Sequence, residues 1–391
     1  MRVGLLTTGY PRWEGDVAGS FVAGFAEALR ARGHAVEVFA AAPPEPAASL
    51  DARWVRYRRR ARDQRTFYGA GAPDNLRRDV QAWPGLIRYP LALRRAVRHA
   101  GRFDALVAHF GLPCGLVAAS LPARRHLTVW HSADVHLARR LPAPLRARLL
   151  GKGMHWFVRE SHRRALAGEA ASRHLVHPMG ATPPPAADRE ASRTVLGCEG
   201  PTVLFLGRLV PVKGVDVLLD ALAGSRVQLL VAGEGPERAA LERRARELGV
   251  RARFLGAVQG ARKGQAFAAA DVLALPSRRL PSGRTEGAPV VLAEAWLAGL
   301  PVVASGVLEG VEDGVDALRV APEDPRALRD ALARLLADPA LRQRLREAGR
   351  ARGEELRWTR LGPRIEALLR GGPGAFRRAA CSGSAPRAPR G

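Results

Sequence analysis

Cysteine is scarce in this sequence. Its 391 residues include three cysteines, Cys114, Cys198 and Cys381, which lie far apart in the chain. They lack the spacing of zinc ligands, and an odd, scattered set is not the framework of a disulfide-rich secreted domain. We therefore expect a reduced cytoplasmic protein without structural disulfides or zinc.

Uninterrupted apolar runs are also missing. The most apolar long stretch, 289–307, contains Glu294, Gly299 and Pro301, and this excludes a membrane-spanning helix. The apolar run at 1–7 is too short for a signal peptide, which again favours the cytoplasm. Hydrophobic residues make up 47% of the chain and charged residues 25%, as in a globular protein with room for two domains.

Acidic residues and lysines are few. The net charge is +25, and only Lys152, Lys213 and Lys263 are lysines. Residues 53–102 hold 14 arginines against three aspartates. Such a segment attracts phosphates, an acidic glycan or an anionic membrane surface, whereas no nucleic-acid motif accompanies it. Since a GC-rich genome also produces arginine-rich, lysine-poor proteins, compositional bias is the alternative explanation.

Short apolar runs alternate with helical patterns in both halves of the chain. This alternation predicts parallel sheets with right-handed crossovers, and therefore two doubly wound α/β domains facing each other across a cleft. The predicted strands are 3–7, 35–39, 105–109, 126–131 and 156–159 in the first half, and 202–206, 227–232, 272–275 and 302–304 in the second.

The proline-rich stretch at 182–187 is the predicted hinge between the two domains. We expect an N-terminal Rossmann-like domain at 1–182 and a C-terminal one at 188–355. A helix at 356–370 and a disordered basic tail at 371–391 should follow. The first strand leads into Thr8-Gly-Tyr-Pro11 rather than a glycine fingerprint, which argues against a nicotinamide cofactor.

Two carboxylates straddle the start of one predicted helix. Glu286 lies before Pro289, which suits a first helical position, and Glu294 lies inside the helix. Acids at both ends of such a segment suit an extended ligand with hydroxyls at both ends, such as a nucleotide sugar.

A basic turn follows the first strand of the second half. Gly207 permits a sharp turn, and Arg208 and Lys213 then precede a helix expected to begin at Val215. Helix N–H groups, a guanidinium and an ammonium together suit a diphosphate. A solvated basic turn is the alternative.

Three further positions are candidates by their place at strand ends. Gly233 opens a tight turn, and Gly19 with Ser20 precedes the first helix, where backbone N–H groups would meet phosphate. Turn geometry and helix capping by Ser20 are the alternatives. His131 closes a strand and points toward the cleft, and His109, at the end of the neighbouring strand, competes with it.

Together these segments resemble glycosyltransferase family 4, the retaining enzymes of GT-B fold. The resemblance is carried by Gly207-Arg208…Lys213-Gly214, Gly233-Glu-Gly-Pro236, 254–256, 271–277, Glu286-x7-Glu294, 298–305, Tyr10-Pro11…Gly19-Ser20 and His131-x-x-Asp134. The stretch 281–289 is most similar to the branch that builds bacterial exopolysaccharides.

The resemblance implies roles for these residues. Arg208 and Lys213 would bind the donor diphosphate, with Gly207 and Gly233 beside them and Gly19 and Ser20 closing over it. Glu294 would hold the ribose, and His131 would line the reaction centre. Glu286 would contact the transferred sugar, and the donor segment would continue through Gly287, Ala288, Pro289 and Val290. The resemblance also implies a metal-independent hexosyltransferase without cofactor, and a C-terminal helix that crosses back to the first domain.

The expected function is transfer of a sugar from a nucleoside diphosphate sugar to a glycan or lipid-linked acceptor, with retention, in cell-surface polysaccharide synthesis. The basic segment at 53–102 would place the protein on the inner face of the membrane. The loop 306–310 is shorter than the family pattern and lacks its glycine pair, and 177–181 also departs from it. A catalytically weak sugar-nucleotide-binding partner subunit is therefore the alternative, and a nucleotide-sugar epimerase a third option.

Overall fold

The computed structural model describes residues 1–371 except 15, 17, 49–50, 70 and 169–173. The tail predicted to be disordered begins at Gly371, and the residues after Gly371 are not among those described. The described chain forms two parallel sheets, and we call each sheet with its helices a lobe.

The first lobe is built on a seven-stranded parallel sheet with the order β3-β2-β1-β4-β5-β6-β7. Its interior strand β1 is buried almost throughout and pairs with β2 on one side and β4 on the other. Strands covered on both faces are apolar without alternation, which is why these runs could be recognised. The strands are β1 Arg2–Thr7, β2 Ala35–Ala41, β3 Ala52–Val55, β4 Phe103–His109, β5 Ala123–Trp130, β6 Met154–Phe157 and β7 His174–Val176.

The second lobe is built on a six-stranded parallel sheet with the order β10-β9-β8-β11-β12-β13. In β8, Val203 and Phe205 belong to one hydrophobic cluster and Leu204 to another, so helices cover both faces. The strands are β8 Thr202–Leu206, β9 Gln228–Ala232, β10 Ala252–Gly256, β11 Val272–Leu275, β12 Val302–Ser305 and β13 Leu318–Val320.

Fifteen α-helices accompany the two sheets in the described part of the chain. Single helical turns of other kinds occur at Ala61–Asp63, Val80–Ala82, Gly111–Gly115 and Pro211–Lys213. The α-helices are α1 Ser20–Arg30, α2 Ala72–Arg78, α3 Gly85–His99, α4 Leu116–Ala119, α5 Ala133–Ala138, α6 Ala143–Leu150, α7 Glu160–Ala167, α8 Arg189–Val195, α9 Val215–Leu222, α10 Arg238–Glu247, α11 Gly260–Ala269, α12 Val290–Ala298, α13 Pro325–Ala337, α14 Pro339–Glu355 and α15 Trp358–Arg370. None of them is long and apolar enough to cross a membrane.

The C-terminal helix α15 returns to the first lobe, as predicted. Leu361 and Ile365 are fully buried in the core cluster that contains Phe25 of α1. The crossing begins where the Ala181 N–H donates to the Leu356 carbonyl at 2.9 Å. Two lobes linked in this way form the predicted GT-B architecture, while the residue ranges assigned to the domains stay a prediction.

Candidate active site

The basic turn lies at the carboxyl ends of β8 and β9. Gly207 donates to the Ala232 carbonyl at 2.9 Å, and Gly233 packs so closely on Gly207 that a side chain at 233 would overlap its carbonyl oxygen. Gly214, with φ of 65°, occupies the N-cap of α9. These glycines bring Arg208 and Lys213 to a helix N-terminus, the position expected for an anion-binding loop.

Lys213 makes a salt bridge with Glu286. The other oxygen of this carboxylate accepts a hydrogen bond from the Ser277 hydroxyl. Glu286 and Ser277 are buried and Lys213 is nearly so. A buried carboxylate needs such partners, because the loss of its cationic partner lowers the free energy of unfolding by several kcal/mol. The structure thus joins two predicted site residues that lie 73 positions apart in sequence.

Arg208 lies at the solvent-exposed mouth of the cleft. A side chain at Gly71 of the first lobe would lie 2.9 Å from its Nη1, so the guanidinium faces the opposite lobe. Beside it, Arg284 binds both oxygens of Asp74 at 2.9 and 3.0 Å. Arg208 therefore places positive charge at this edge of the cleft, where the Arg284–Asp74 salt bridge joins the two lobes.

Glu294 is paired with Lys263 of α11. The Lys263 ammonium lies 2.6 Å from Glu294 Oε1, and the carboxylate is largely buried. Two of the three lysines in the sequence therefore contact the two acids of the Glu286-x7-Glu294 segment. Sequence analysis did not assign Lys263 a role, because its α11 helix gives only a weak pattern.

The segment after Glu286 runs against the first lobe. A side chain at Gly287 would lie 3.6 Å from Ser132 Cβ and 3.9 Å from the His131 carbonyl oxygen. Ala288 packs on the first-lobe core, and the Ser132 hydroxyl donates to the Thr285 carbonyl at 2.8 Å.

The helix α12 begins just after this segment. Pro289 is its N-cap, and Val290 is its first residue. The predicted donor segment therefore lies at the N-terminus of α12 and against the loop that carries His131.

Gly19 is the N-cap of α1, with φ of 65°, and Ser20 is the first helical residue. A side chain at 19 would overlap the Gly9 carbonyl oxygen. Among the described residues no side chain caps this helix, and Ser20 lies inside it, so the interpretation of Ser20 as a capping residue is wrong. Ser20 is exposed, and the ring of the next residue, Phe21, lies 4.8 Å from that of His131.

His131 and His109 are both at the cleft. His131 Nε2 lies 3.3 Å from His109 Nδ1, so one ring donates and the other accepts. His109 is fully buried, whereas His131, just beyond the end of β5 at Trp130, is partly exposed. Of the two competing histidines, His131 is the one that a ligand would reach first.

Asp134 holds the loops around His131. Its Oδ1 accepts from the His131 N–H at 3.0 Å and its Oδ2 from the Gly111 N–H at 2.7 Å. Between these loops Phe110 adopts φ of 73°, which is unusual for a bulky residue, and its ring lies 4.6 Å from that of His131. Backbone strain of this kind concentrates at functional sites. No local sequence signal identified Phe110.

Arg159 links the short loop 306–310 to the first lobe and to Glu286. Its guanidinium donates to the Glu286 and Val307 carbonyls and pairs with Glu309 at 3.0 Å. The side chain is buried. The shortened loop is therefore held in place by a first-lobe arginine that the sequence did not single out.

Protonation at this site should make the fold acid-labile. Burial lowers the pKa of His131 to about 3 and that of its neighbour His162 on α7 to about 4, from an ordinary 6.5. As pH falls, these imidazoles are protonated in the unfolded chain before they are protonated in the folded one. Their contribution to stability is therefore complete above pH 6.5 and is lost as pH falls toward about 4. Burial raises the pKa of Asp134 from 3.8 to about 6, so its contribution is complete below pH 3.8 and is lost as pH rises through 6.

The two histidines outweigh the single aspartate. Burial also lowers the pKa values of His109 and His177. We therefore expect urea unfolding to show a loss of more than about 2 kcal/mol between about pH 7 and about pH 5. His162→Gln should reduce this loss by about 2 kcal/mol, the contribution of one imidazole that stays neutral in the folded chain. A pH profile that is flat, or equally steep in that variant, would contradict the assignment.

Comparison with known proteins identifies the family. The model of the glycosyl transferase 4-like domain matches residues 18–189, and that of glycosyl transferases group 1 matches 200–338. The chain is 32% identical over 311 residues to the GDP-mannose-dependent alpha-(1-6)-phosphatidylinositol monomannoside mannosyltransferase of Mycolicibacterium smegmatis, covering 72% of this chain and 81% of that relative. The chain belongs to glycosyltransferase family 4.

Other members of the family match over different lengths. A GDP-mannose-dependent monoacylated alpha-(1-6)-phosphatidylinositol monomannoside mannosyltransferase of Corynebacterium glutamicum is 34% identical over 204 residues, 49% of this chain and 53% of that relative. The chain thus spans about half the length of that relative.

A solved structure supports the GT-B fold of this family 4 chain. Sucrose-phosphate synthase from Thermosynechococcus elongatus has a TM-score of 0.72 and 24% identity, over 95% of this chain and 98% of that one.

Proposed function

We propose that this glycosyltransferase moves a sugar from a nucleoside diphosphate sugar to an acceptor hydroxyl with retention of configuration. The observation that carries the proposal is the cluster of Lys213, Glu286 and Ser277 at the N-terminus of α9, with Arg208 beside it. This cluster supplies cations for a diphosphate next to a carboxylate for the sugar. His131 faces it from the other lobe.

Charge development explains why the cations would matter. Breaking the anomeric bond places negative charge on the departing diphosphate and positive charge on the sugar. Arg208, Lys213 and the N–H groups of α9 would stabilise the leaving group without reorganisation. The acceptor hydroxyl would attack from the same face, and the leaving phosphate would take its proton. Neither a cofactor nor a metal takes part in this scheme.

The names of the relatives indicate which donor and acceptor to test first. Both mannosyltransferases described above are named for GDP-mannose and a phosphatidylinositol mannoside. We therefore take GDP-mannose as the first donor to test and a membrane lipid with an inositol headgroup as the first acceptor. The resemblance to the exopolysaccharide branch stays a prediction, as does a location on the inner face of the membrane.

A thermal-shift screen with GDP-, UDP- and ADP-sugars tests the donor. GDP-mannose at about a hundred times its Kd should raise the unfolding midpoint by about 3 °C, because a ligand of the folded state alone adds about 2.7 kcal/mol to the unfolding free energy of a chain of this length. The other two should give smaller shifts. The absence of any shift with all three nucleotide sugars would contradict the proposed donor class.

The shortened loop motivates one alternative, a partner subunit that binds donor but turns it over slowly. Arg159 and Glu309 hold that loop against the first lobe. Release of GDP from GDP-mannose, measured with phosphatidylinositol vesicles as acceptor, separates the two functions. A clear thermal shift without any GDP release would favour the partner subunit.

A further inference from the structure

Two arginines are buried in the part of the chain that the structure describes, Arg284 and Arg159. Arg159 is only 5% exposed, follows the end of β6 by two residues and is the N-cap of α7. The carboxyl ends of the strands in such a sheet face the cleft, so this position lies where the lobes meet. Burying a guanidinium is costly, and an apolar side chain of similar volume often serves the stability of a fold equally well. An arginine at this position therefore indicates a role other than stability.

The hydrogen bonds of the Arg159 guanidinium reach across to the second lobe. Nη1 donates to the Glu286 carbonyl, and Nη2 donates to the Val307 carbonyl at 2.6 Å and to Glu309 Oε1 at 3.0 Å. The other oxygen of Glu309 accepts from the Ser161 N–H of α7 at 3.2 Å. One first-lobe side chain thus joins the segment before α12 to the loop after β12.

The main chain at Glu286 is held from the first lobe at two successive carbonyls. The Thr285 carbonyl accepts from the Ser132 hydroxyl, and the Glu286 carbonyl accepts from Arg159. The carboxylate of Glu286, by contrast, is paired with Lys213 of the second lobe. The two lobes thus fix the main chain and the side chain of Glu286 separately. A shift of this main chain by about 1 Å would misplace the carboxylate relative to a ligand between the lobes.

We propose that Arg159 is a positioning residue, which holds the Glu286 carbonyl and thereby aims the Glu286 carboxylate at the transferred sugar. The role assigned to Arg159 rests on the proposed sugar transfer, because Glu286 is the group that contacts the sugar in that reaction. Arg159 acts through Glu286 and does not itself touch the donor. The short loop 306–310 contributes to the site in the same way, since Val307 and Glu309 provide the second anchor of the guanidinium.

Steady-state kinetics of Arg159→Met with GDP-mannose test this role. Methionine fills much of the same space but donates no hydrogen bond. The variant should lower kcat about tenfold to a hundredfold, up to the cost of a misplacement by about 1 Å. Its affinity for GDP alone should be unchanged, because the cations proposed to bind the diphosphate are intact. Arg159→Lys should recover part of kcat, since its ammonium still donates but reaches fewer of the acceptors at once.

A double variant decides whether Arg159 acts through Glu286. The kcat of Arg159→Met/Glu286→Gln should equal that of Glu286→Gln alone, because the carboxylate to be aimed is already gone and residues that act as a unit are not additive. Losses of kcat that multiply would overturn the positioning role. The matched control is Arg163→Met, which removes another arginine of α7 that is paired with Glu160 of the same helix, and it should leave kcat unchanged.

Amide hydrogen exchange tests the physical link without any nucleotide. In Arg159→Met, the amides of residues 285–288 and 306–310 should exchange faster than in the unchanged chain, whereas those of β8 should not. Unchanged exchange in both segments would overturn the proposal, even if kcat falls. Failure of the proposed sugar transfer would look different, because the unchanged chain would then not bind GDP-mannose, while Arg159→Met would still speed exchange. That result would overturn the aiming of Glu286 at a sugar and support only the hold of Arg159 on the two segments.

Discussion

Replacing Glu286 with glutamine is expected to lower kcat by about a hundredfold or more, the range seen when one transition-state interaction is removed. Affinity for the nucleoside diphosphate should be undiminished or higher. The reason is the salt bridge with Lys213, which partly neutralises the ammonium before donor binds. Glutamine keeps the shape and accepts from Ser277, but it leaves the full positive charge for the phosphates. Steady-state kinetics and calorimetric titration with GDP measure the two effects.

The variant Lys213→Ala should behave in the opposite way toward nucleotide. It removes a charged hydrogen bond to the diphosphate, so GDP affinity should fall by about 2 kcal/mol, or about thirtyfold. It also leaves the buried Glu286 without its cation, which should destabilise the fold by about 3 kcal/mol. Glu242→Gln, which breaks the more exposed pair with Arg238, is the matched control and should change neither property. Equal losses of GDP affinity in Glu286→Gln and Lys213→Ala would contradict the division of roles.

The parts of this site that could be predicted from sequence are those with local signals. The turn from Gly207 to Gly214 joins a buried strand to a helix, and turn glycines and apolar runs are recognisable within a few residues. The same holds for Glu286 before α12. The strands that sequence analysis missed, β3, β7, β10 and β13, are short or mixed with charged residues. The long helix α14 is rich in charged residues and lacks the apolar periodicity that identifies a helix in sequence.

The remaining site residues could not be predicted because their partners are distant in sequence. Arg159 contacts the Glu286 and Val307 carbonyls at separations of 127 and 148 residues, and Arg284 meets Asp74 across 210. Nothing within a window of sequence distinguishes these arginines from the many others in the chain. Likewise His109 and His131 occupy equivalent strand ends, and only the packing of the folded lobe makes one buried and the other accessible.

Removal of the Trp358 side chain is expected to destabilise the first lobe by about 3 kcal/mol, as for other large aromatic side chains. Trp358 begins α15 and its indole lies between two glycines of the first lobe. A side chain at Gly24 would overlap the indole, and one at Gly180 would lie 2.5 Å from it. Phe25 packs against the ring edge with centroids 6.2 Å apart. The indole thus fastens the helix that crosses back, and the urea transition of the first lobe measures its contribution.

The variant Gly24→Ala gives a sharper test of the same contact, because its effect should change sign. In the unchanged chain the new methyl group would overlap the indole, and the indole could not move away because Gly180 lies against it. Such overpacking should lower the free energy of unfolding by about 1–3 kcal/mol. In the Trp358→Ala background that obstacle is gone, and alanine within α1 should instead stabilise by up to about 1 kcal/mol through helix propensity. Gly200→Ala, at a glycine with open space around it, serves as the control. Additive effects of Gly24→Ala and Trp358→Ala would show that the indole does not fasten α15 to α1, since residues in contact couple in a double-mutant cycle.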